Sequence, residues 1–202
     1  RGQYPAINKG FARATGRILN WINSDDILLP GALRQVGLAF LEHPDHLLAG
    51  GHYVVFGEER QTLELAFGLE AANFARYWEN AWSWNSTATF FTDRMWQRCG
   101  QLNEGLRFAA DYELTLKFAT HFPVHYLRAP LGTFRFHASS KTVVKSEQDH
   151  LETAQVAQAC WPPGVEPPDF LKVQRRYMAK FWAEGVWRAL FTNWTRVLGR
   201  IG

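Results

Sequence analysis

Cysteine is scarce in this chain of 202 residues: Cys99 and Cys160 are the only two. Lying in separate predicted elements, they supply neither a disulfide framework nor the paired CxxC knuckle of a structural zinc site. A reducing cytosolic compartment is therefore the default setting. Long apolar runs are missing as well, which excludes an obvious membrane-spanning helix, and no secretory leader is visible. There is no Walker loop, dinucleotide glycine fingerprint or nucleophile elbow, and no repeat or low-complexity tract. A broad basic footprint is also absent. The formal charge is +3, but residues 169–202 carry seven basic side chains against Asp169 and Glu184, while the preceding 168 residues carry 15 basic and 17 acidic ones. A nucleic-acid binder needs a positive surface that tracks phosphates, so no nucleic-acid partner is expected. The basic tail points instead to an anionic membrane surface or a protein partner.

What is present is apolar and aromatic. A hydrophobic fraction of 47% and an aromatic fraction of 15% exclude global disorder, and the length suits one or two domains with a sizeable core. Of nine tryptophans, three crowd into "RYWENAWSWN" as Trp78, Trp82 and Trp84. Such rings fill cores, and they also form sugar-facing walls.

The periodicity predicts an α/β layer structure. Ala6 to Ala14 reads as a helix, Arg17 to Ile22 as a strand apolar enough to be a buried parallel one, and Pro30 to Leu41 as a helix with proline in its first turn. Leu48–Phe56, Glu59–Phe67 and Thr87–Phe91 read as strands, with Gly50-Gly51 as a bend or close-packing point. Asp93 to Gln97 reads as a short helix capped by Asp93, Ala110 to Thr120 as a helix, and Val124 to Phe136 as extended chain interrupted at Pro130 and Gly132. Glu147 to Cys160 and Phe170 to Trp194 are helical, separated by "WPPGVEPP", which no helix can continue through.

Three stretches carry chemistry. "NWINSDD" delivers Asp25 and Asp26 to the carboxyl end of the predicted strand, where open α/β sheets place ligands. Paired carboxylates are hard oxygen donors suited to Mg²⁺ or Mn²⁺ alongside phosphate oxygens. Local sequence favours the plainer reading, a solvated turn in which Asp26 caps the next helix. "RFAADYEL" sets Asp111 at a helix start, as a cap or as a carboxylate able to accept a proton from a hydroxyl. In "FRFHASSKT", Arg135 and His137 share one face of an extended segment, fit to bind phosphate or, for His137, a metal, and Ser139 to Thr142 add polar groups beyond. A lone histidine at a strand end is more often an ordinary surface residue. His43, His46, His52, His121 and His125 have local contexts that favour surface or core roles.

In this order, "GQYPAINKGFARATGRILNWINSDDILLPGAL", "FFTDRMWQRCGQLNEGLRFAADYELTLKFA" and "LGTFRFHASSKT" resemble family 2 glycosyltransferases of the GT-A fold, from Gly2 to about Thr142. The resemblance implies a three-layer, mostly parallel sheet with flanking helices. It also implies that the chain corresponds to the C-terminal two-thirds of the family's domain, with the opening nucleotide-binding part absent. Residues 1–145 would form the partial catalytic domain and 146–202 a helical extension, with a Pro-rich linker near 162–168.

The activity implied is transfer of a sugar from a nucleotide-sugar donor to a hydroxyl of a saccharide or lipid-linked acceptor. It proceeds by inverting displacement assisted by a divalent metal, Mg²⁺ or Mn²⁺. By that resemblance Asp26 is the metal ligand, with Asp25 near the metal or donor ribose. Asn23, standing where aspartate is frequent, is assigned no metal role. Asn8 and Lys9 line the donor pocket, Asp111 is the general base, and Arg135 and His137 touch diphosphate or metal. The expected setting is the cytoplasm or the cytoplasmic face of a membrane reached through the C-terminal helix. The alternatives are a catalytically inactive remnant that binds a glycan or partner, and a metal-dependent phosphoester hydrolase.

Overall fold

The computed structural model describes residues 2–48, 50–57, 61–66, 70–79, 84–135, 137, 147–180 and 183. Trp82, Phe136, the polar run 139–142 and most of the expected helix beyond 180 lie outside them. The chain divides into two compact units, Arg1–Val165 and Glu166–Gly202. In the second, residues 170–180 are helical, and the Asp169 carboxylate accepts the Lys172 backbone N–H at 3.1 Å. Among the described residues no helix is long and apolar enough to cross a membrane.

The first unit opens with α1 (Gln3–Phe11), which begins three residues earlier than predicted. Pro5 does not prevent this, because the first-turn N–H groups have no intrahelical acceptor and a missing one loses no bond. Its buried residues are Tyr4 and Asn8, four apart on one face. β1 (Ile18–Leu19) is shorter than predicted and is not a buried parallel strand. It pairs antiparallel with β5 (Phe91–Thr92), and Ile18 is exposed. The strand stops because the Asn20 side-chain amide takes over: its Nδ2 donates to the carbonyls of Ser86 (2.8 Å), Thr87 (3.3 Å) and Thr89 (2.7 Å).

α2 (Ala32–Glu42) starts after Gly31, whose φ of +81° is the left-handed conformation glycine adopts freely. Ala32, Val36, Ala39 and Phe40 lie on its buried side and pack with Ala88, Phe90 and Leu131. β2 (Leu47–Leu48) runs parallel to β6 (Val124–His125). β3 (His52–Phe56) lies between an antiparallel β4 (Gln61–Glu64) and a parallel β7 (Pro130–Arg135). The described residues therefore form three small sheets of mixed direction, and the expectation of a mostly parallel sheet is corrected. Helices flank these sheets in an α/β arrangement.

After α3 (Ala71–Phe74) come α4 (Asp93–Cys99), α5 (Ala110–His121) and α6 (Glu147–Ala159), which packs on α5. α4 is capped by Thr92, whose hydroxyl accepts the Met95 N–H at 3.3 Å, and not by Asp93. Phe91 is fully buried, with ring centroids of Phe118 at 4.7 Å, Phe11 at 5.6 Å, Trp21 at 6.0 Å and Trp96 at 6.2 Å. This aromatic cluster ties α1, β5, α4 and α5 together. The Tyr112 phenol donates to the Phe74 and Ala75 carbonyls, and burial pushes its pKa up, so the hydroxyl stays a donor. Trp78 stacks on Trp161 and Trp84 packs edge-on to Phe74, so both rings meet other aromatics.

Candidate active site

The loop after β1 turns its two aspartates in different directions. Asp26 is buried. Its Oδ2 accepts from Asn23 Nδ2 and Thr87 Oγ1, each at 3.0 Å, and its Oδ1 accepts the Arg135 backbone N–H at 3.0 Å. Three donors offset the desolvation of that carboxylate. Asp26 thereby joins its own turn, the 3₁₀ turn Ser86–Ala88 and the end of β7. It does not cap α2, whose N-terminus lacks a side-chain cap.

Asp25 is about one-third exposed, and its Oδ2 lies 3.0 Å from His137 Nε2. Two residues 112 apart in sequence are thus brought into contact.

β7 makes this meeting possible. Leu29 N donates to the Leu131 carbonyl at 2.9 Å, Thr133 N to the Ile27 carbonyl at 2.8 Å, and Ile27 N to Thr133 Oγ1 at 3.0 Å. The loop therefore runs antiparallel to β7 and carries it past Asp26. Gly132 allows the approach, since a Cβ there would sit 2.8 Å from Thr87 Cγ2. Beside this contact lies an open groove of about 610 Å³ lined by Ile27, Leu29, Val54, Phe56, Gln61 and Thr133.

Asp111 is linked to the same region through the first turn of α1. Gln3 Nε2 donates to Asn23 Oδ1 at 2.9 Å, and Asn23 in turn donates to Asp26. The next residue, Tyr4, donates its phenol to the Phe108 carbonyl at 2.9 Å. Burial pushes the Tyr4 pKa up, and the Asp111 charge pushes it further. Asp111 occupies the first turn of α5, where its Oδ1 accepts the Tyr112 N–H at 2.8 Å. It does not cap the helix: the N-cap is Ala109.

Asn8 lies elsewhere. Its Nδ2 donates to the Leu102 carbonyl and to Glu104 Oε1, both at 2.9 Å, and its Oδ1 accepts the Leu102 N–H at 3.0 Å. A buried amide with these partners ties α1 to the loop before α5. Lys9 is exposed in the last turn of α1, and the Arg135 residue is exposed while its backbone N–H holds Asp26. Sequence reasoning missed Asn20, Thr87, Gln3, Tyr4 and Glu152. Gln3, Tyr4 and Asn20 lie within the quoted stretches without carrying a chemical signature, Thr87 and Glu152 lie outside them, and each acts through a partner far away in the chain.

The sequence model of "Glycosyl transferase family 2" matches residues 1–110. The chain belongs to glycosyl transferase family 2. The match corrects the expected extent of the likeness. It covers the N-terminal half of the chain and ends at Ala110, so the expected likeness to the family's C-terminal two-thirds, running to about Thr142, is corrected to residues 1–110. Asp25 and Asp26 fall inside the matched stretch; Asp111, Arg135 and His137 fall beyond it. No curated protein matches this family 2 chain.

Among solved structures, the family 2 chain is similar to S. aureus TarS 1-349 in complex with UDP-GlcNAc, with a TM-score of 0.61 at 12% identity over 88% of this chain and 52% of that one. S. aureus TarS gives a TM-score of 0.57 at 14% identity over 86% of this chain and 30% of that one. TarS 1-349 alone gives 0.58 at 12% identity, over 87% and 50%. The chain thus spans about half the length of TarS 1-349, and at these identities the likeness is one of fold.

Proposed function

We propose that this protein transfers a sugar from a nucleotide-sugar donor to an acceptor hydroxyl on a GT-A-type fold, by inverting displacement with Asp111 as general base. The observation that carries this reading is the pairing of Asp25, in the loop after β1, with His137, in a chain of glycosyl transferase family 2. UDP-GlcNAc, bound by TarS 1-349, is the first donor to test.

A divalent cation fits the residues present. Asp25 Oδ2 and His137 Nε2 are 3.0 Å apart, and two ligands in adjacent positions of a Mg²⁺ octahedron with bonds near 2.1 Å are separated by about 3 Å. Among the described residues no group of three or more such ligands converges, so diphosphate oxygens and water would complete the shell. Asp26, whose oxygens already serve three donors, fits that role less well than Asp25. When bound, the cation would offset charge developing on the departing diphosphate.

The chain's own groups do the rest. Asp111 takes the proton from the acceptor hydroxyl. The acceptor oxygen then attacks the anomeric carbon, and the bond from that carbon to the diphosphate oxygen breaks with its electron pair leaving on the nucleoside diphosphate. Lys9 and Arg135 supply positive charge for that anion, and the neighbouring groove provides room for an acceptor. The acceptor class is a saccharide or a lipid-linked saccharide, and the setting is the cytoplasm or the cytoplasmic face of a membrane.

The test is release of nucleoside diphosphate from UDP-, GDP- and dTDP-sugars with and without Mg²⁺ or Mn²⁺. Metal-dependent release is expected from the folded chain. Donor binding without release would favour the inactive binding protein, and neither binding nor release would overturn the proposal.

A further inference from the structure

We infer that Glu152, on α6, is a positioning residue for Asp111: its buried carboxylate fixes the segment that leads into α5, whose first turn carries Asp111. The inference rests on the reading of Asp111 as the base. Glu152 is 9% exposed. Its Oε2 accepts the backbone N–H groups of Arg107 (3.0 Å), Phe108 (2.7 Å) and Ala109 (3.3 Å), and its Oε1 accepts Arg107 N–H at 3.2 Å. These amides lead directly into α5. Of the amides left unpaired at the start of α5, Glu152 takes that of the N-cap residue Ala109, and it holds the two preceding amides, Arg107 and Phe108, from 43 to 45 residues further along the chain.

The grip is two-sided. Glu152 takes the Phe108 N–H while the Tyr4 phenol donates to the Phe108 carbonyl, so this residue is fixed at both of its backbone polar groups. Glu152 also adds, after Asp111, to the charge that pushes the Tyr4 pKa up, which puts both carboxylates within electrostatic reach of one phenol. Val156, one turn further along α6, is buried too, so the helix is docked on the side that presents Glu152. Asp111 starts three residues after the held peptide, and a general base works only within hydrogen-bond reach of the proton it removes. Releasing the loop shifts the carboxylate without touching the donor contacts at Asp25 and His137.

The experiment compares Glu152→Leu, Glu152→Gln and Asp111→Asn in the full chain. It uses Mn²⁺-dependent UDP release from UDP-GlcNAc, or from whichever nucleotide sugar proves active, together with amide hydrogen exchange over residues 107–113. Glu152→Leu should lower kcat on the order of 10- to 100-fold, leave the donor KM within about twofold, and speed exchange at 107–109. Glu152→Gln keeps a carbonyl acceptor and should recover part of kcat. It also decides the question if the leucine variant does not fold, since a glutamine variant with unchanged kcat and faster exchange at 107–109 overturns the inference. So does a joint loss of donor affinity and kcat in either variant, which marks general destabilisation. If turnover survives in Asp111→Asn, the reading of Asp111 fails; if it is lost there but kept in Glu152→Leu, only the role of Glu152 fails.

Discussion

In the loop after β1 and at the start of α5, a buried carboxylate holds backbone or side-chain donors close to a more exposed acid, but the buried acid comes from different places. In the first loop the two acids are consecutive: Asp26 turns into the protein and binds Asn23, Thr87 and the Arg135 amide, which leaves Asp25 partly exposed against His137. In the second, Asp111 is half-buried at the start of α5, and the inward acid is Glu152 from a later helix. A buried carboxylate surrounded by N–H and O–H donors can hold a loop as firmly as a packed side chain. An acidic residue in a motif is therefore not identified as chemical by its type; exposure and the partners of its oxygens separate the two roles.

This contrast can be broken by substitution. The largest effect is expected for Asp111→Asn, which should lower kcat by about 10²- to 10⁴-fold with donor affinity retained, measured by steady-state kinetics and donor titration. Asp26→Ala should act on stability, costing about 2–4 kcal/mol in urea unfolding because it strands the Thr87 hydroxyl and the Arg135 amide. Its covalent neighbour should behave oppositely: Asp25→Ala should shift stability by less than about 1 kcal/mol, since its partner is a partly exposed histidine, while raising the metal concentration needed for half-maximal turnover. Equal destabilisation by both aspartate variants would erase the distinction.

The smallest effect concerns acid stability at another part of the fold. His43, His46 and His125 cluster with ring centroids 4.2 to 6.4 Å apart, and burial followed by His43 and His46 holds the His125 pKa down. A histidine depressed in the folded state contributes stability above its unfolded pKa and loses it as pH falls through the folded value. The melting temperature should therefore drop between about pH 7 and pH 5, and His125→Phe should flatten that drop.

Parts of this arrangement were legible in the sequence and parts were not. The start of α5 at Ala110 and the extent of α6 followed from apolar spacing and a Pro-rich stop. The resemblance assigned Asp25, Asp26 and His137 to one metal; in the fold Asp25 meets His137, while the oxygens of Asp26 are taken by Asn23, Thr87 and the Arg135 amide. The length and direction of β1 were not, because the residue that ends the strand, Asn20, does so through its side chain and carbonyls 66 to 69 positions away. The partners of Asn8 were hidden for a related reason. A polar residue in a motif-like turn reads as a ligand contact, yet its amide is satisfied by Leu102 and Glu104. Glu152 stands in an unremarkable helix, and only the fold reveals which amides it meets.

The distances along the chain that close the site also bear on how it is made. Asp25 meets His137 across 112 positions, Asp26 meets Arg135 across 109 and Thr87 across 61, and Glu152 meets Phe108 across 44. Contacts of such separation impose a loop-closure cost before they give any return, and chains rich in them fold slowly. During synthesis the acids of the β1 loop leave the ribosome long before the strand and helix that complete their surroundings. α2 itself packs on Leu131 of β7, so the core beside the site and the site become organised together as β7 docks.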